Sequence, residues 1–156
     1  SLGLIEPVNT RMYLAQATGC SPIVDAFNAG VTHINPVVPN TIAKSIALGN
    51  PADGYDALKI VRETGGAACA ASDEELIEGM KLLAQTEGIF TEATGGVVIA
   101  SLKKLAASGM IKKDDLTVAF ITGAGPRTQE TVSDVVQPYT VLPTVESFEK
   151  VLGAQL

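Results

Sequence analysis

Two short segments combine polar side chains with glycines, the residue types that let a backbone approach a small ligand. They are EATGG at residues 92–96 and TGAGP at residues 122–126. Each follows an apolar or extended run, and in open α/β sheets ligands bind beyond the carboxyl ends of the strands. The pair Gly95–Gly96 opens a helical pattern, so its free N–H groups can cradle an anion. A tight strand-to-helix turn explains the same glycines without a ligand.

Other kinds of chemistry have less support. His33 is the single histidine, and no second His or Cys is spaced to share a metal with it. It can serve as a general base, but a surface position in a loop is the simpler interpretation. Cys20 and Cys69 show neither metal spacing nor a CxxC motif, which predicts two free thiols in a reducing compartment.

Charge and hydropathy exclude further classes of function. The formal net charge of −6 argues against a nucleic-acid binder, which needs a basic stripe. No signal-peptide pattern opens the chain, and no apolar run nears the roughly 20 residues of a membrane span. We therefore expect a soluble cytoplasmic protein with no membrane or nucleic-acid partner.

Alternating strand-like runs and amphipathic helices must position the two glycine-containing segments. The predicted strands are residues 11–17, 67–71 and 116–122, and the predicted helices are residues 23–29, 41–48, 55–64, 73–87, 94–108 and 145–152. This order, with right-handed crossovers, predicts a three-layer α/β domain with a mainly parallel sheet. The run LTVAFIT at residues 116–122 is typical of a strand buried on both faces.

Local signals mark several helix ends. Ser21 before Pro22 is a candidate N-cap, and Ser72 with Glu75 forms a predicted capping box. Glycines at the predicted helix ends, such as Gly88, can adopt a positive φ.

The pattern divides the chain into residues 1–127 and a tail, residues 128–156, with an extended stretch and a short helix. The opening SLGLIEP lacks an initiator Met and reads as the end of a helix and a turn. It predicts a chain cut from something longer, although removal of a Met explains it equally.

Four blocks occur in a recognisable order: TIAKSIALGNP at 41–51, SDEEL at 72–76, EGIFTEATGG at 87–96 and FITG at 120–123. Together they resemble threonine synthase, a fold-type II enzyme dependent on pyridoxal 5′-phosphate (PLP), with the tryptophan synthase β-like fold. The resemblance covers about residues 1–127. It implies a lyase of threonine biosynthesis that converts O-phosphohomoserine and water to threonine and phosphate.

The resemblance also implies three cofactor-binding positions. Thr122 matches the Ser or Thr that hydrogen-bonds the pyridine nitrogen. A neutral hydroxyl there does not force protonation of the nitrogen, so the ring withdraws electrons less strongly than a protonated ring. Glu92 matches an acidic residue near the ring, and Ala43 matches a small residue packed near it. The alternatives are a strand-end hydroxyl that caps backbone for Thr122 and a surface charge for Glu92. Lys44 does not match the catalytic lysine of the family, and we expect it to be solvated.

The family's catalytic lysine, its Asn for the phenolic oxygen and its phosphate-binding loop are expected in a segment that this chain does not contain. The sequence therefore predicts no catalytic residue here, and a chain that alone neither binds PLP tightly nor turns over substrate. The resemblance further implies a homodimer. Two alternatives stay open: another type II PLP lyase of the threonine dehydratase or cysteine synthase type, and a non-catalytic module that binds a small anion.

Overall fold

The computed structural model describes residues 9–135 and 138–153, and within them strands and helices alternate along the chain. The elements are β1 (Leu14–Ala17), α1 (Pro22–Asn28), α2 (Gly54–Glu63), β2 (Ala68–Ala71), α3 (Asp73–Glu87), α4 (Ala93–Ala107) and α5 (Val145–Gly153). Three single turns of 3₁₀ helix lie at Lys44–Ile46, Gly125–Arg127 and Gln129–Val132.

The two strands form a parallel sheet with helices on both faces. Leu14 lies opposite Ala68, and the register continues to Ala17 opposite Ala71. Leu14 packs towards the cluster formed by α1 and α2, whereas Ala15 on the other pleat packs towards the main core beside α3 and α4. The expected three-layer α/β architecture with a parallel sheet is confirmed.

Helix α1 begins at Pro22 after Ser21, as predicted, but a different side chain bonds its first turn. The hydroxyl of Ser21 makes no capping bond to the helix backbone, and instead donates to Asp25 Oδ1 at 3.1 Å. The side-chain oxygen of Gln16 accepts from the N–H groups of Ile23 and Val24, each at 3.0 Å. Ser21 therefore occupies the predicted N-cap position ahead of Pro22, but a strand residue, Gln16, satisfies the free donors of the first turn in its place.

The start of α3 is the predicted capping box. The Glu75 N–H donates to Ser72 Oγ at 3.3 Å, and the Ser72 N–H donates to Glu75 Oε2 at 2.8 Å. The hydrogen bond from Lys104, followed by that of the Ser72 N–H, holds the pKa of Glu75 below its usual value. The stability that Glu75 contributes is present above its unfolded-state pKa, and is lost as the pH falls through the lowered folded-state pKa.

Replacing Ser72 with alanine is expected to lower the free energy of unfolding by about 1 kcal/mol, because the Glu75 N–H loses its acceptor. Urea unfolding followed by circular dichroism at pH 7 measures the change. Ser133→Ala, at an exposed serine, is the matched control. A loss in Ser72→Ala no larger than that in Ser133→Ala would contradict the capping role.

Helices α3 and α4 cross at two glycines. A Cβ on Gly79 would lie 2.4 Å from the carbonyl oxygen of Gly96, and a Cβ on Gly96 would lie 2.2 Å from that of Leu76. The crossing brings Leu76, Met80 and Val97 together in the main core, where each is almost completely buried. Close backbone approach at this crossing therefore depends on the two missing side chains.

The helix predicted over residues 41–48 is wrong. Only Lys44–Ile46 turn, as one 3₁₀ turn. The carboxylate of Asp73 accepts from Thr41 Oγ1 at 2.5 Å and from the Ile42 N–H at 3.2 Å. Because these bonds hold the start of the segment to the first turn of α3, helical spacing of its apolar residues does not decide its conformation.

The strand predicted over residues 116–122 is also wrong in this structure. The segment belongs to no strand, and Leu116 is 97% exposed. Within the described ranges, none of its backbone groups makes a hydrogen bond. Its apolar pattern is that of a central strand, but no neighbouring strand is present among the described residues to pair with it.

The rest of the chain follows the predictions more closely. The tail helix is confirmed as α5, and Thr128 and Val132 at the start of the tail pack against the main body of the protein.

Both cysteines are free, and burial raises the pKa of the Cys20 thiol. The prediction for residues 1–7 lies outside the described residues. No helix in the described part is long and apolar enough to cross a membrane.

Candidate functional site

The two glycine-containing segments of the sequence meet in one corner. The Glu92 N–H donates to the carbonyl oxygen of Gly123 at 3.1 Å, and Thr91 Oγ1 donates to the same oxygen at 2.9 Å. The Gly125 N–H donates to the Phe90 carbonyl at 3.0 Å, which closes a short antiparallel bridge. The end of the 116–122 segment is thus fixed against the start of α4.

Glu92 is the buried acid of this corner, with 3% of its surface exposed. Ser45 Oγ donates to Glu92 Oε2 at 3.1 Å, and Arg127 Nε lies 3.8 Å from the same oxygen. A Cβ on Gly123 would lie 2.1 Å from Glu92 Oε1. The missing side chain of Gly123 is therefore what lets the carboxylate lie over the loop, and the surface-charge interpretation of Glu92 does not hold.

Thr122 directly precedes Gly123 and is exposed. Its hydroxyl forms no hydrogen bond with the described residues, so it caps no backbone group there. An exposed hydroxyl beside a loop held by hydrogen bonds is available to a ligand. The structure thus brings Thr122 and Glu92 together, while their role in binding a cofactor stays a prediction.

Ala43 has a different environment. It has no exposed surface, and its methyl group belongs to the main core with Ala17 and Ala71. It lies before the 3₁₀ turn rather than in a helix, two residues ahead of Ser45. It shares this core with Ala93 at the start of α4, beside Glu92, and its proposed approach to a cofactor ring stays a prediction.

The glycine pair at the start of α4 serves packing. Gly95 lies against Thr91, whose Oγ1 would be 1.9 Å from a Cβ, and Gly96 lies at the crossing with α3. The Ala93 N–H is already bonded to Thr128 Oγ1 at 2.9 Å. The contacts observed are those of close packing at residues within α4, a role that neither the anion cradle nor the strand-to-helix turn had predicted for these glycines.

The remaining candidates are surface residues. His33 is exposed in a loop, with its Nδ1 3.5 Å from the hydroxyl of Tyr55. Lys44 is exposed next to Ser45, as expected of a solvated lysine. In the part of the chain that the structure describes, no group of three or more His, Cys, Asp or Glu side chains can hold a metal ion.

Two residues of the corner were not predicted from the sequence. Ser45 reaches Glu92 across 47 positions of the chain, and Arg127 approaches from the 3₁₀ turn that follows the Gly123 loop. The signal for Ser45 was its place inside the TIAKSIALGNP block. Arg127 had no sequence signal beyond its nearness to the TGAGP segment.

The α/β layers and the corner at Glu92 and Gly123 belong to a class of protein that comparison with known families identifies. Residues 2–123 match the family described as pyridoxal-phosphate dependent enzyme. The match covers most of the chain, and the chain belongs to this PLP-dependent family, in its fold-type II group.

The chain is similar to proteins named threonine synthase. It is 43% identical to that of Methanocaldococcus jannaschii over 124 residues, which are 79% of this chain and 30% of the relative. It is 39% identical to that of Methanosarcina acetivorans over 142 residues, 90% of this chain and 35% of the relative. The chain thus spans about a third of the length of these relatives.

Solved structures share the fold. Maize serine racemase aligns with a TM-score of 0.59 at 16% identity, covering 93% of this chain and 40% of that one. A threonine deaminase from T.th. aligns with a TM-score of 0.51 at 21% identity, covering 63% of this chain and 35% of that one. At these identities the likeness shows the architecture alone.

Proposed function

We propose that this chain forms one wall of the PLP site of a threonine synthase, which converts O-phosphohomoserine and water to threonine and phosphate. The observation that carries the proposal is the corner in which Thr122 is exposed beside a loop held to buried Glu92. Its support is the similarity to threonine synthases at 43% and 39% identity.

The residues present fit one side of the cofactor. The free hydroxyl of Thr122 suits a pyridine nitrogen, because it can donate or accept a hydrogen bond and carries no charge. PLP, when bound, supplies an electron-accepting ring that stabilises negative charge on the substrate. Thr122 would hold and orient that ring through a neutral contact, so the ring nitrogen is not forced to stay protonated.

Glu92 acts in this proposal as a positioning residue. Ser45 fixes one carboxylate oxygen, and Gly123 leaves room for the other. The bonds of Glu92 and Thr91 to Gly123 hold the loop that carries Thr122. The corner thereby holds the backbone that carries Thr122, and a loop that is already ordered loses less entropy when the cofactor binds.

The catalytic lysine, the phenolate-binding Asn and the phosphate-binding loop would come from outside this chain. We therefore expect the isolated chain to be inactive. The dimer implied by the resemblance remains a prediction.

An assay of two products tests the reaction. The chain is co-expressed with the complementary polypeptide, defined as the part of the M. jannaschii threonine synthase outside the 124-residue match. We expect the pair to release inorganic phosphate from O-phosphohomoserine and no ammonia from threonine or serine. The chain alone should release neither product.

Ammonia release from threonine or serine without phosphate release from O-phosphohomoserine would show that the pair is a dehydratase and not a threonine synthase. Phosphate release by the chain alone would contradict the placement of the catalytic residues. The matched control is the complementary polypeptide alone, which shows how much of either product comes from it.

A further inference from the structure

A buried carboxylate packs against the loop that carries the Thr122 hydroxyl. Glu92 is 3% exposed and lies against Gly123, the residue that follows Thr122. A carboxylate that reaches a pyridine nitrogen, directly or through a hydroxyl, favours the protonated ring. We propose that Ser45 and Arg127 are positioning residues that keep this carboxylate occupied, so that the hydroxyl offers its proton to a neutral pyridine nitrogen of PLP. Because it requires PLP at this corner, this role rests on the proposed function.

The first support is the set of partners around Glu92. Its Oε2 accepts a hydrogen bond from Ser45 Oγ at 3.1 Å and lies 3.8 Å from Arg127 Nε. Ser45 and Arg127 belong to two separate 3₁₀ turns, so distant segments converge on one oxygen. A buried charge without a partner is strongly destabilising. These two groups therefore supply the partners that the carboxylate would otherwise find at Thr122.

The second support is the space at Gly123. This residue does not adopt a positive φ, so its backbone conformation does not require glycine. A Cβ there would lie 2.1 Å from Glu92 Oε1, 2.4 Å from Cδ and 2.6 Å from Cγ. A side chain at this position would displace the carboxylate, whereas glycine leaves it against the loop. The local requirement for glycine is thus the fixed position of Glu92.

The third support is the unbonded state of the Thr122 hydroxyl. A hydroxyl has one proton to donate and two lone pairs. If Thr122 donated its proton to Glu92, it could only accept from the ring nitrogen, which would then have to be protonated. In the structure the Thr122 hydroxyl makes no hydrogen bond with the described residues. Its proton is therefore available to a neutral nitrogen while other groups hold the carboxylate.

Nitrogen NMR of PLP labelled at its ring nitrogen tests this role in the chain paired with the complementary polypeptide. The test variant carries Ser45→Ala and Arg127→Met, which remove both partners of Glu92 at exposed positions. The matched control carries Ser133→Ala and Lys113→Met, also at exposed positions. Circular dichroism of each variant first shows that it is folded.

We expect the ratio of protonated to neutral ring nitrogen to rise about tenfold or more in the test variant, since a neighbouring opposite charge has an effect of that size. Ser45→Ala alone should raise the ratio by less. Ser45→Thr, which keeps a hydroxyl at this position, should give the wild-type ratio. The control variant should match the wild type.

With PLP bound, an unchanged ratio in the test variant would overturn this role and leave the cofactor site in place. An equal rise in the control variant would also overturn it, and so would equal ratios in Ser45→Thr and Ser45→Ala above that of the wild type. Failure of the wild-type pair to bind PLP would overturn this role together with the proposed cofactor site. Because the NMR ratio does not depend on turnover, a failed phosphate assay is distinguishable from each of these results.

Discussion

Replacing Gly96 with valine is expected to lower the free energy of unfolding by about 3 kcal/mol or more. A Cβ at this position would lie 2.2 Å from the Leu76 carbonyl oxygen and 2.8 Å from Met80 Cγ. The first of these is a backbone atom of α3, so the two helices must move apart, and overpacking of this kind costs about 1–3 kcal/mol or more. Such a loss is a large fraction of a typical stability of about 5–15 kcal/mol.

Urea unfolding of the whole chain measures this effect, with Gly153→Val as the control. Gly153 ends α5, and a Cβ added there would meet nothing within 4 Å, so a valine should change the stability by less than about 0.5 kcal/mol. Because α4 begins directly after Glu92, we also expect Gly96→Val to disturb the corner. Equal stabilities of the two variants would show that the crossing is not closely packed.

The second large effect concerns the cofactor. We expect the isolated chain to bind PLP at least about a hundredfold more weakly than the chain paired with the complementary polypeptide. Thr122 offers one hydrogen bond, which contributes about 1 kcal/mol. Two charge-assisted bonds to the phosphate, each about 1.5–3 kcal/mol, already account for roughly a hundredfold at 1.4 kcal/mol per tenfold. Covalent anchorage by a lysine would increase the difference further.

Local rules predicted much of the fold. The capping box of Ser72 and Glu75 and the left-handed glycine ending α3 involve residues a few positions apart, so their geometry is encoded within one turn. Gly88 adopts a φ of +67°, as its place after Glu87 predicted. The boundaries of α2, α3 and α4 lie within a residue or so of the predicted ones for the same reason.

Non-local contacts decide the features that local patterns did not predict. Gln16 supplies the acceptor at the start of α1, and Asp73 holds the start of the 41–48 segment. Neither contact follows from helical periodicity. The segment 116–122 has the pattern of a buried strand, but a strand needs a neighbour, and none lies beside it among the described residues.

In the candidate site, too, local patterns were predictable from the sequence and non-local contacts were not. The EATGG and TGAGP segments were recognised because polar residues and glycines follow apolar or extended runs. The resemblance to threonine synthase then pointed to Thr122 and Glu92 within them. The hydrogen bond from Ser45 to Glu92 joins distant parts of the chain, and the burial of Ala43 depends on how the core packs. Only the folded structure reveals these features.

The affinity for PLP tests most directly whether this chain is one wall of a shared cofactor site. Equilibrium dialysis compares the isolated chain, the complementary polypeptide and the pair. The chain in the pair is wild type, Thr122→Val or, as a control, Thr32→Val at an exposed loop residue. We predict stoichiometric binding by the pair alone, weakened about fivefold by Thr122→Val and unchanged by Thr32→Val. Tight stoichiometric binding by the isolated chain, or a Thr122→Val pair with unchanged affinity, would contradict this assignment.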